Sequence, residues 1–234
     1  HGEHMTTLGP FELGPETRHP AHGIYYGDAR RLAEYVPDES VDLIFTDPVY
    51  DRIDDYRWLA ETAARVLRPG GAVLVWTFNS EFDAVLDAMR PALTYRYTLH
   101  WQRYGPIYHG IDRLLAVITQ CVWLDRDGGS TLRKSMADWT GAAQGGLRDN
   151  SHKWSKPLSV ITKWLDAFSW PGDLILDPFS GGGTVPVACK QLNRRYLAFE
   201  HDLDTVIAAR ERVRNAQPPL LVPQAEQLGL EITA

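Results

Sequence analysis

The feature that most constrains the fold is a glycine-rich turn placed directly after a short apolar run. Residues 174–184 read LILDPFSGGGT, and a stretch with a helical pattern, Val185–Leu192, follows. Consecutive glycines reach backbone conformations that other residues avoid, so a buried strand can turn sharply into a helix. The N–H groups of such a turn, with the positive end of the helix dipole, favour a polar or anionic ligand group. The segment therefore predicts a strand–turn–helix unit with a ligand site at the turn.

An acidic residue ends the next strand, at a distance typical of nucleoside-binding folds. Tyr196–Phe199 is apolar, and Glu200 follows it about twenty residues after the glycine turn. A carboxylate in this position can accept hydrogen bonds from ribose hydroxyls. Strand, turn, helix and acidic strand end together predict a nucleoside-type cofactor site. The spacing alone does not separate a nicotinamide dinucleotide from S-adenosylmethionine.

Short apolar runs alternate with amphipathic stretches through most of the chain. Besides the two strands above, residues 41–46 and 72–76 have the length and composition of buried strands. Trp58–Leu67 has a helical pattern that stops at the breaker Pro69-Gly70-Gly71. This alternation predicts an α/β fold in which a mostly parallel sheet is covered by helices on both faces.

The sequence divides into one main domain and two ends. We assign residues 23–217 to the main domain, which is a length that a single core can serve. Residues 1–22 are predicted to be irregular because they are rich in proline, glycine and histidine, and their start, His-Gly-Glu-His before Met5, resembles an expression tag. Pro218-Pro219 ends the last helical stretch and leaves a tail, 218–234. Within the main domain, residues 125–150 are rich in glycine and polar residues and predict an excursion from the sheet.

Charge is distributed unevenly along the chain. The net charge is −6, yet residues 90–163 contain eleven Lys and Arg against five Asp and Glu. A basic sector on an acidic protein is typical of a local surface that faces nucleic acid. In the excursion at 125–150, Arg133, Lys134 and Arg148 are the predicted contacts to DNA phosphates or base edges.

A second candidate site follows the strand at 41–46. Asp47-Pro48-Val49-Tyr50 stands at the carboxyl end of a predicted parallel strand, where ligands bind in open α/β folds. An aromatic amine is a weak nucleophile because its lone pair is delocalised into the ring. If the Asp47 carboxylate and the Pro48 carbonyl each accept one N–H, the nitrogen can become pyramidal and present its lone pair, while Tyr50 stacks on the base. On these residues alone, a plain Asp-Pro turn is the alternative.

Together, Asp47–Tyr50 and Asp177–Thr184 resemble the motifs of the amino-DNA methyltransferases, in particular the beta group, in which the catalytic motif precedes the cofactor motif. Three further segments are similar to that family: Gly27-Asp28-Ala29 with Pro37–Asp42 before the catalytic strand, Arg65–Gly71 at a helix-to-strand corner, and His152–Pro157 before the cofactor strand. The resemblance covers roughly residues 23–214 and is interrupted around 125–150.

The resemblance implies a Rossmann-like, seven-stranded sheet with one antiparallel strand, S-adenosylmethionine as the methyl donor and double-stranded DNA as the substrate. Asp47, Pro48 and Tyr50 would be the catalytic residues, and the target base would be flipped out of the duplex to reach them. The glycine turn would surround the amino-acid portion of the donor, with Glu200 at its ribose and Asp28 near its adenine. The implied cofactor residues are Asp28, Lys156, Asp177, Pro178, Phe179, Ser180, Gly181, Gly183, Thr184 and Glu200.

Two departures from the family pattern leave alternatives open. Val49 replaces the second proline of the catalytic motif, and the recognition segment at 125–150 is short, so that a homodimer would help recognition. Asp47 at the head of the motif resembles adenine-N6 enzymes more than cytosine-N4 enzymes. Cytosine N4 as the target, a non-catalytic DNA-binding relative, a nicotinamide dehydrogenase, and RNA or a protein amine as substrate stay as alternatives.

Composition disfavours several other classes of protein. No apolar run approaches the roughly 20 residues that span a bilayer, and no pattern of a secretory signal stands at the start. Cys121 and Cys189 lie far apart without the spacing of metal ligands. We therefore expect a cytoplasmic protein with no membrane partner and no metal.

Overall fold

The computed structural model describes residues 6–8, 11–13, 23–108, 115–141 and 156–217, with the side chains of the first two ranges, of 104–108 and of 115 outside that description. Ten strands lie in these ranges. They are β1 (Thr6–Leu8), β2 (Phe11–Leu13), β3 (Gly23–Tyr26), β4 (Val41–Thr46), β5 (Leu67–Thr77), β6 (Thr94–Tyr108), β7 (Leu115–Asp125), β8 (Trp139–Thr140), β9 (Leu174–Asp177) and β10 (Arg195–Glu200). The first two pair with each other as a short hairpin inside the segment that was predicted to be irregular.

Six helices accompany these strands in the described ranges. They are α1 (Ala29–Ala33), α2 (Ile53–Val66), α3 (Phe82–Met89), α4 (Leu158–Phe168), α5 (Thr184–Gln191) and α6 (Leu203–Asn215). None of the helices that the structure describes is long and apolar enough to cross a membrane.

The other eight strands form one mixed sheet in the order β3-β10-β9-β4-β5-β7-β6-β8. Only β7 runs against its neighbours, since it pairs antiparallel with both β5 and β6, while the other described pairs are parallel. The predicted class, a mostly parallel sheet with helices, is confirmed. The predicted number of seven strands is wrong by one. Trp139 and Thr140 pair with His100 and Trp101 and add β8 as the outermost strand beside β6.

Hydrophobic side chains from both faces of the sheet form the core. On one face, Ile44 and Val73 pack with α2 and α3, whose buried positions include Leu59 and Met89. On the other face, Phe45, Trp76 and Trp164 stack, with the two tryptophan ring centroids 5.0 Å apart. Burial of side chains on both faces is what the near-continuous apolar runs of a parallel sheet predict.

The corner between α2 and β5 differs from the sequence prediction. Helix α2 begins at Ile53, five residues before the predicted start at Trp58, and Asp54 and Asp55 in its first turn stabilise the positive helix end. Strand β5 begins at Leu67, so the breaker Pro69-Gly70-Gly71 lies inside the strand. The pairing register between β4 and β5 shifts between Val41 and Leu43, where this segment bulges.

Candidate active site

The predicted site residues gather where four neighbouring parallel strands end, at the border of the sheet that we call its carboxyl edge. Asp47 follows β4, Asp177 ends β9, Glu200 ends β10, and Asp28 lies two residues beyond β3. The chain leaves β9 and β4 toward opposite sides of the sheet, since β10 flanks the first and β5 flanks the second. Open α/β sheets bind their ligands outside the carboxyl ends of strands at such a switch point. The edge therefore has the position of a ligand site.

A buried hydrogen bond joins the two central strands at this edge. The Thr46 hydroxyl donates to Asp177 Oδ1 over 2.7 Å, and both side chains are buried. Burial raises the pKa of Asp177 from 3.8 to about 7, although the bonds from Thr46 and from the Phe179 N–H oppose the shift, and the nearby Asp47 and Glu200 carboxylates add to it. The Asp177 carboxyl consequently lies close to the Asp47 charge, as a shared site requires.

The glycine turn is held in shape by hydrogen bonds from both sides. Gly181 donates its N–H to Glu200 Oε2 over 3.0 Å, and Gly183 donates to the Ser180 carbonyl over 3.0 Å. Gly181 and Gly183 have φ angles of +47° and +74°, which residues with a side chain rarely adopt. At Gly183 an added Cβ would also lie 3.1 Å from the Ala209 Cβ, so glycine lets α6 approach the turn.

Helix α6 supports the turn from its outer side. Arg212 donates to the Gly182 carbonyl over 2.8 Å and to the Thr184 hydroxyl oxygen over 3.1 Å. The Thr184 hydroxyl, predicted to face the donor, therefore already accepts one bond, and its own hydrogen stays available for donation. Helix α5 begins at Thr184, so the positive end of its dipole points toward the turn.

The residues at the turn fit a nucleoside-type cofactor with an amino-acid portion. The Ser180 hydroxyl is buried and lacks a hydrogen-bond partner, and an added Cβ at Gly181 would meet open space. The Glu200 carboxylate accepts the N–H groups of Gly181 and Asp202, and the exposed His201 Nδ1 lies 2.9 Å from its Oε1, so ribose hydroxyls would bind mainly at Oε2. Asp28 caps α1 by accepting the N–H groups of Arg30 and Arg31.

Aromatic rings border the turn on the side of α2. Phe179 packs edge-on against Trp58 with ring centroids 5.8 Å apart, and the Arg30 guanidinium lies 5.4 Å above the Trp58 ring. Pro178 is buried beside them, so Phe179 leaves the strand in a fixed direction. The predicted role of the Phe179 face toward a sulfonium stays a prediction.

The second predicted motif forms a loop directly after β4. Pro48 is buried, whereas Val49 is 56% exposed and points away from the core. Because the Val49 side chain lies in solvent, its replacement of proline changes the stiffness of the loop without blocking the site. The Val49 carbonyl accepts the Arg52 N–H over 3.1 Å, which closes the turn into α2.

Tyr50 is fixed by an aromatic contact and by a network of charges. Its ring centroid lies 4.2 Å from that of Phe78, at the end of β5. Burial, followed by the charge of Asp47 and a hydrogen bond to it, raises the pKa of Tyr50 well above its ordinary value, while Arg103 acts in the opposite direction. The phenol therefore stays neutral, and Arg103 is close enough to influence it.

Lys156 lies at the Asp47 loop. Its ammonium forms an ion pair with Asp47 Oδ2 and donates to the Tyr50 hydroxyl oxygen over 2.6 Å. The predicted contact with the donor's amino-acid portion stays untested, and the contacts that the structure gives this lysine are with the predicted catalytic residues.

The predicted DNA contacts Arg133 and Lys134 are not brought to this edge. The Arg133 N–H donates to the Ala167 carbonyl, and Lys134 pairs with Asp166, which also binds Arg194 just before β10 begins. These contacts lie near the carboxyl end of α4, roughly 12 Å along the helix from Leu158. These contacts therefore lie at the amino ends of the parallel strands, across the sheet from the carboxyl edge. Arg148 lies outside the described residues.

Sequence reasoning did not assign roles to several residues that shape the site. Thr46 binds Asp177, Phe78 packs on Tyr50, and Trp76 lies near the Lys156 ammonium. For Phe78 the available signal was its place directly after the run at 72–76, because strand ends of a parallel sheet meet at one edge. Among the residues that the structure describes, no three His, Cys, Asp or Glu side chains gather in a way that could hold a metal ion.

Comparison with known proteins agrees with this architecture. The DNA methylase family N6_N4_Mtase matches residues 116–211. The type II methyltransferase M.BamHI of Bacillus amyloliquefaciens is 26% identical over 82% of this chain and 57% of its own length. The type II methyltransferase M2.LlaDCHI of Lactococcus lactis subsp. cremoris is 23% identical over 81% of this chain and 88% of its own length. The chain thus spans little more than half of the first of these relatives.

Solved structures share the fold. The M1.HpyAVI–SAM complex superimposes with a TM-score of 0.69 at 23% identity, and covers 82% of this chain and 98% of that one. The PvuII cytosine-N4-specific DNA methyltransferase superimposes with a TM-score of 0.72 at 15% identity, covering 84% and 91% of the two chains.

The fold and the strand-end site define an open α/β protein in which a glycine-rich turn lies beside an Asp-Pro-Val-Tyr loop. Within that class, residues 116–211 match the DNA methylase family, and the chain is similar to two type II methyltransferases, which supports its likeness to the amino-DNA methyltransferases.

Proposed function

We propose that this protein transfers the methyl group of S-adenosylmethionine to an exocyclic amine of a base in double-stranded DNA, and that the amine is adenine N6. The observation that carries the proposal is the Thr46–Asp177 hydrogen bond, because it joins the strand that leads to Asp47 with the strand that leads to the glycine turn. An acceptor for an amine and a turn suited to a nucleoside cofactor consequently lie side by side.

The residues at the turn would hold and orient the cofactor. S-adenosylmethionine supplies a methyl group activated by a sulfonium. The Asp177 carboxylate suits the cationic amino group of its amino-acid portion, and the buried Ser180 hydroxyl offers a further bond. Glu200 can accept the ribose hydroxyls while its bond from Gly181 keeps the turn closed.

The Asp47 loop would prepare the amine for attack. Asp47 accepts one N–H of the amine and the Pro48 carbonyl accepts the other, so that the nitrogen lone pair leaves the plane of the base. The Tyr50 ring, held by Phe78, offers a face on which the flipped base stacks. After transfer, the nitrogen proton leaves to Asp47 or to solvent.

The proposal of adenine over cytosine rests on Asp47 alone, since an aspartate heads the motif. Both bases carry an exocyclic amine that can bind the same acceptors. The loop chemistry is therefore compatible with N4 of cytosine, which is the second candidate target.

DNA would approach the carboxyl edge of the sheet, so its contacts belong there. Arg103 stands on β6 near this edge, close enough to Tyr50 to influence it, and its guanidinium lies 5.9 Å from the Trp101 ring. We place the first phosphate or base-edge contact at Arg103, and retain Arg133, Lys134 and Arg148 as the earlier hypothesis to be tested against it.

Tritiated methyl transfer to unmethylated plasmid DNA, followed by mass spectrometry of the nucleosides, tests the proposal. N6-methyladenine is the expected product, and N4-methylcytosine would select the second candidate. Titration calorimetry should show S-adenosylmethionine binding that weakens by about 1–3 kcal/mol in Glu200→Ala, with exposed Glu211→Ala as control. Binding of a nicotinamide dinucleotide and none of S-adenosylmethionine would refute it.

A further inference from the structure

Lys156 occupies the place at Asp47 that the proposed mechanism assigns to the target amine. Its ammonium forms an ion pair with Asp47 Oδ2 and donates to the Tyr50 hydroxyl oxygen over 2.6 Å. An ammonium group and an exocyclic amine both present N–H donors, so either of them can satisfy this carboxylate.

An aromatic face lies beside the same ammonium. The Lys156 nitrogen lies 5.0 Å from the centroid of the Trp76 ring, within the distance of a cation–π interaction, whereas its hydrogen bond to the Tyr50 hydroxyl holds it at the edge of that second ring. Phe78 packs on Tyr50 and Trp164 stacks on Trp76, which keeps both rings in place. The lysine is therefore bound by the Asp47 charge, the Tyr50 hydroxyl and the Trp76 ring together.

Lys156 engages the carboxylate oxygen of Asp47 that an incoming amine would use. Oδ2 carries the ion pair, whereas Oδ1 is enclosed without a hydrogen-bond partner. The Asp47 side chain is 32% exposed and the Lys156 side chain only 10%. A base that donates to Oδ2 consequently competes with the lysine for this oxygen, and the flexible four-carbon stem of lysine allows the ammonium to withdraw.

We propose that Lys156 is an internal competitor of the target base: it holds Asp47 and Tyr50 in the resting protein and withdraws when the base enters. This inference rests on the proposed function, because it takes Asp47 as the acceptor of the amine, and it adds an autoinhibitory contact to that site. The apparent affinity for DNA is then the intrinsic affinity multiplied by the fraction of molecules in which the lysine has withdrawn.

Lys156→Met removes the ammonium and keeps the length of the stem. The KM for DNA should fall, by about tenfold if the wild-type site is open about a tenth of the time, while kcat is retained. Lys156→Arg keeps a cation with N–H donors and should leave KM high. Lys163→Met, at a lysine that donates to Thr140 and not to Asp47, is the matched control and should leave KM unchanged.

The assay is methyl transfer to plasmid DNA from a methylation-deficient host, with S-adenosylmethionine affinity measured by calorimetry. A loss of kcat at constant KM in Lys156→Met would overturn the proposal and make Lys156 a positioning residue. Weaker S-adenosylmethionine binding would overturn it as well, because it would assign the lysine to the cofactor. Should the methionine variant not fold, Lys156→Gln is judged by the same criteria, because glutamine keeps N–H donors but removes the charge that binds Asp47.

A second readout is independent of methyl transfer, and so separates this inference from the proposed function. Acetylation by acetic anhydride, quantified by peptide mass spectrometry, should be slow at Lys156 in the free protein and should rise when a duplex library with mismatched adenines is added. Lys163 serves as the reference. If Lys156 stays protected from acetylation when DNA is bound, the competitor role is overturned. If the wild-type protein transfers no methyl group but DNA still exposes Lys156 to acetylation, only the proposed activity is refuted.

Discussion

Thr46 and Asp177, at the ends of two neighbouring strands, share a buried hydrogen bond of 2.7 Å. The bond lies between the loop at Asp47 and the glycine turn. Because burial is the main cause that raises the pKa of Asp177 to about 7 and the Thr46 hydroxyl opposes it, this bond helps to set the charge of the carboxyl next to both motifs. We therefore expect the same bond to influence both stability and ligand binding.

Thr46→Val should destabilise the protein by about 1–3 kcal/mol, because the valine keeps the shape and leaves a buried carboxyl with one bond fewer. Urea unfolding followed by circular dichroism measures the loss. Thr119→Val is the matched control, since the Thr119 hydroxyl is equally buried and has no hydrogen-bond partner. That variant should be neutral or slightly stabilised, and an equal loss in both variants would contradict a specific role for the Thr46 bond.

The raised pKa of Asp177 predicts a fall in stability as pH rises. The folded protein holds the proton of this carboxyl up to pH about 7, while the unfolded chain releases it near 3.8, so the contribution of this group to stability is fully present below 3.8 and is lost as the pH rises to about 7. The decline amounts to on the order of 4 kcal/mol. Asp177→Asn should lack it. Unfolding free energies of both proteins between pH 4 and 8 test this, and parallel curves would contradict it.

Bound S-adenosylmethionine should change the titration of the same carboxyl. Its cationic amino group would favour ionised Asp177, so the affinity of the wild-type protein should rise with pH up to about 7 and level off above. Calorimetry in buffers with different ionisation enthalpies should detect the release of a proton below that pH. Affinity that is independent of pH would separate Asp177 from the cofactor's amino group.

Asp47→Ala should separate binding from chemistry. The variant should bind S-adenosylmethionine almost as the wild type does, yet lose transfer by about 10²–10⁴-fold, since no carboxylate receives the amine. Asp51→Ala, at an exposed aspartate in the same loop, should keep its activity. Tritium incorporation beside calorimetry measures both properties, and near-normal transfer by Asp47→Ala would remove this residue from the mechanism.

The salt dependence of DNA binding distinguishes two candidate surfaces. Arg103→Ala should weaken binding and flatten the plot of log affinity against log salt by about one, because one phosphate contact is lost. The double variant Arg133→Ala/Lys134→Ala should change neither, given the position of both residues at the far edge of the sheet. Fluorescence anisotropy on a labelled duplex decides between them, and the reverse result would move the DNA to the surface around Arg133.

The strands that local pattern predicted were found because burial on both faces produces apolar runs. Residues 41–46 and 196–199 coincide with or lie inside β4 and β10, and the glycine turn leads into α5 as predicted. The start of β5 was misplaced because Pro69 and Gly70 read as a breaker, whereas the register shift beside Val41 accommodates them in the strand. The two-residue β8 has no periodicity to detect, since it is held by its neighbour β6 and by the Trp164 bond to Thr140.

The sequence could predict where the acidic residues of the site lie, because they follow the ends of predicted strands. It could not predict which side chains bind them. Lys156 and Asp47 are 109 residues apart, so no spacing rule joins them, and the lysine was connected with the cofactor instead. Arg133 and Lys134 were chosen for charge and composition, and neither property reveals which edge of the sheet a segment reaches. In both cases tertiary packing decides, and local sequence carries no record of it.

The wide separation of Thr46 and Asp177 has a consequence for biosynthesis. The two residues are 131 positions apart, so at about 5–20 residues per second a ribosome needs roughly 7–26 s after making the first to deliver the second. Throughout that interval the nascent chain holds the Asp47 loop without the glycine turn. On the proposed function, the chain would become competent for methyl transfer only after the segment with the glycine turn has emerged and entered the sheet.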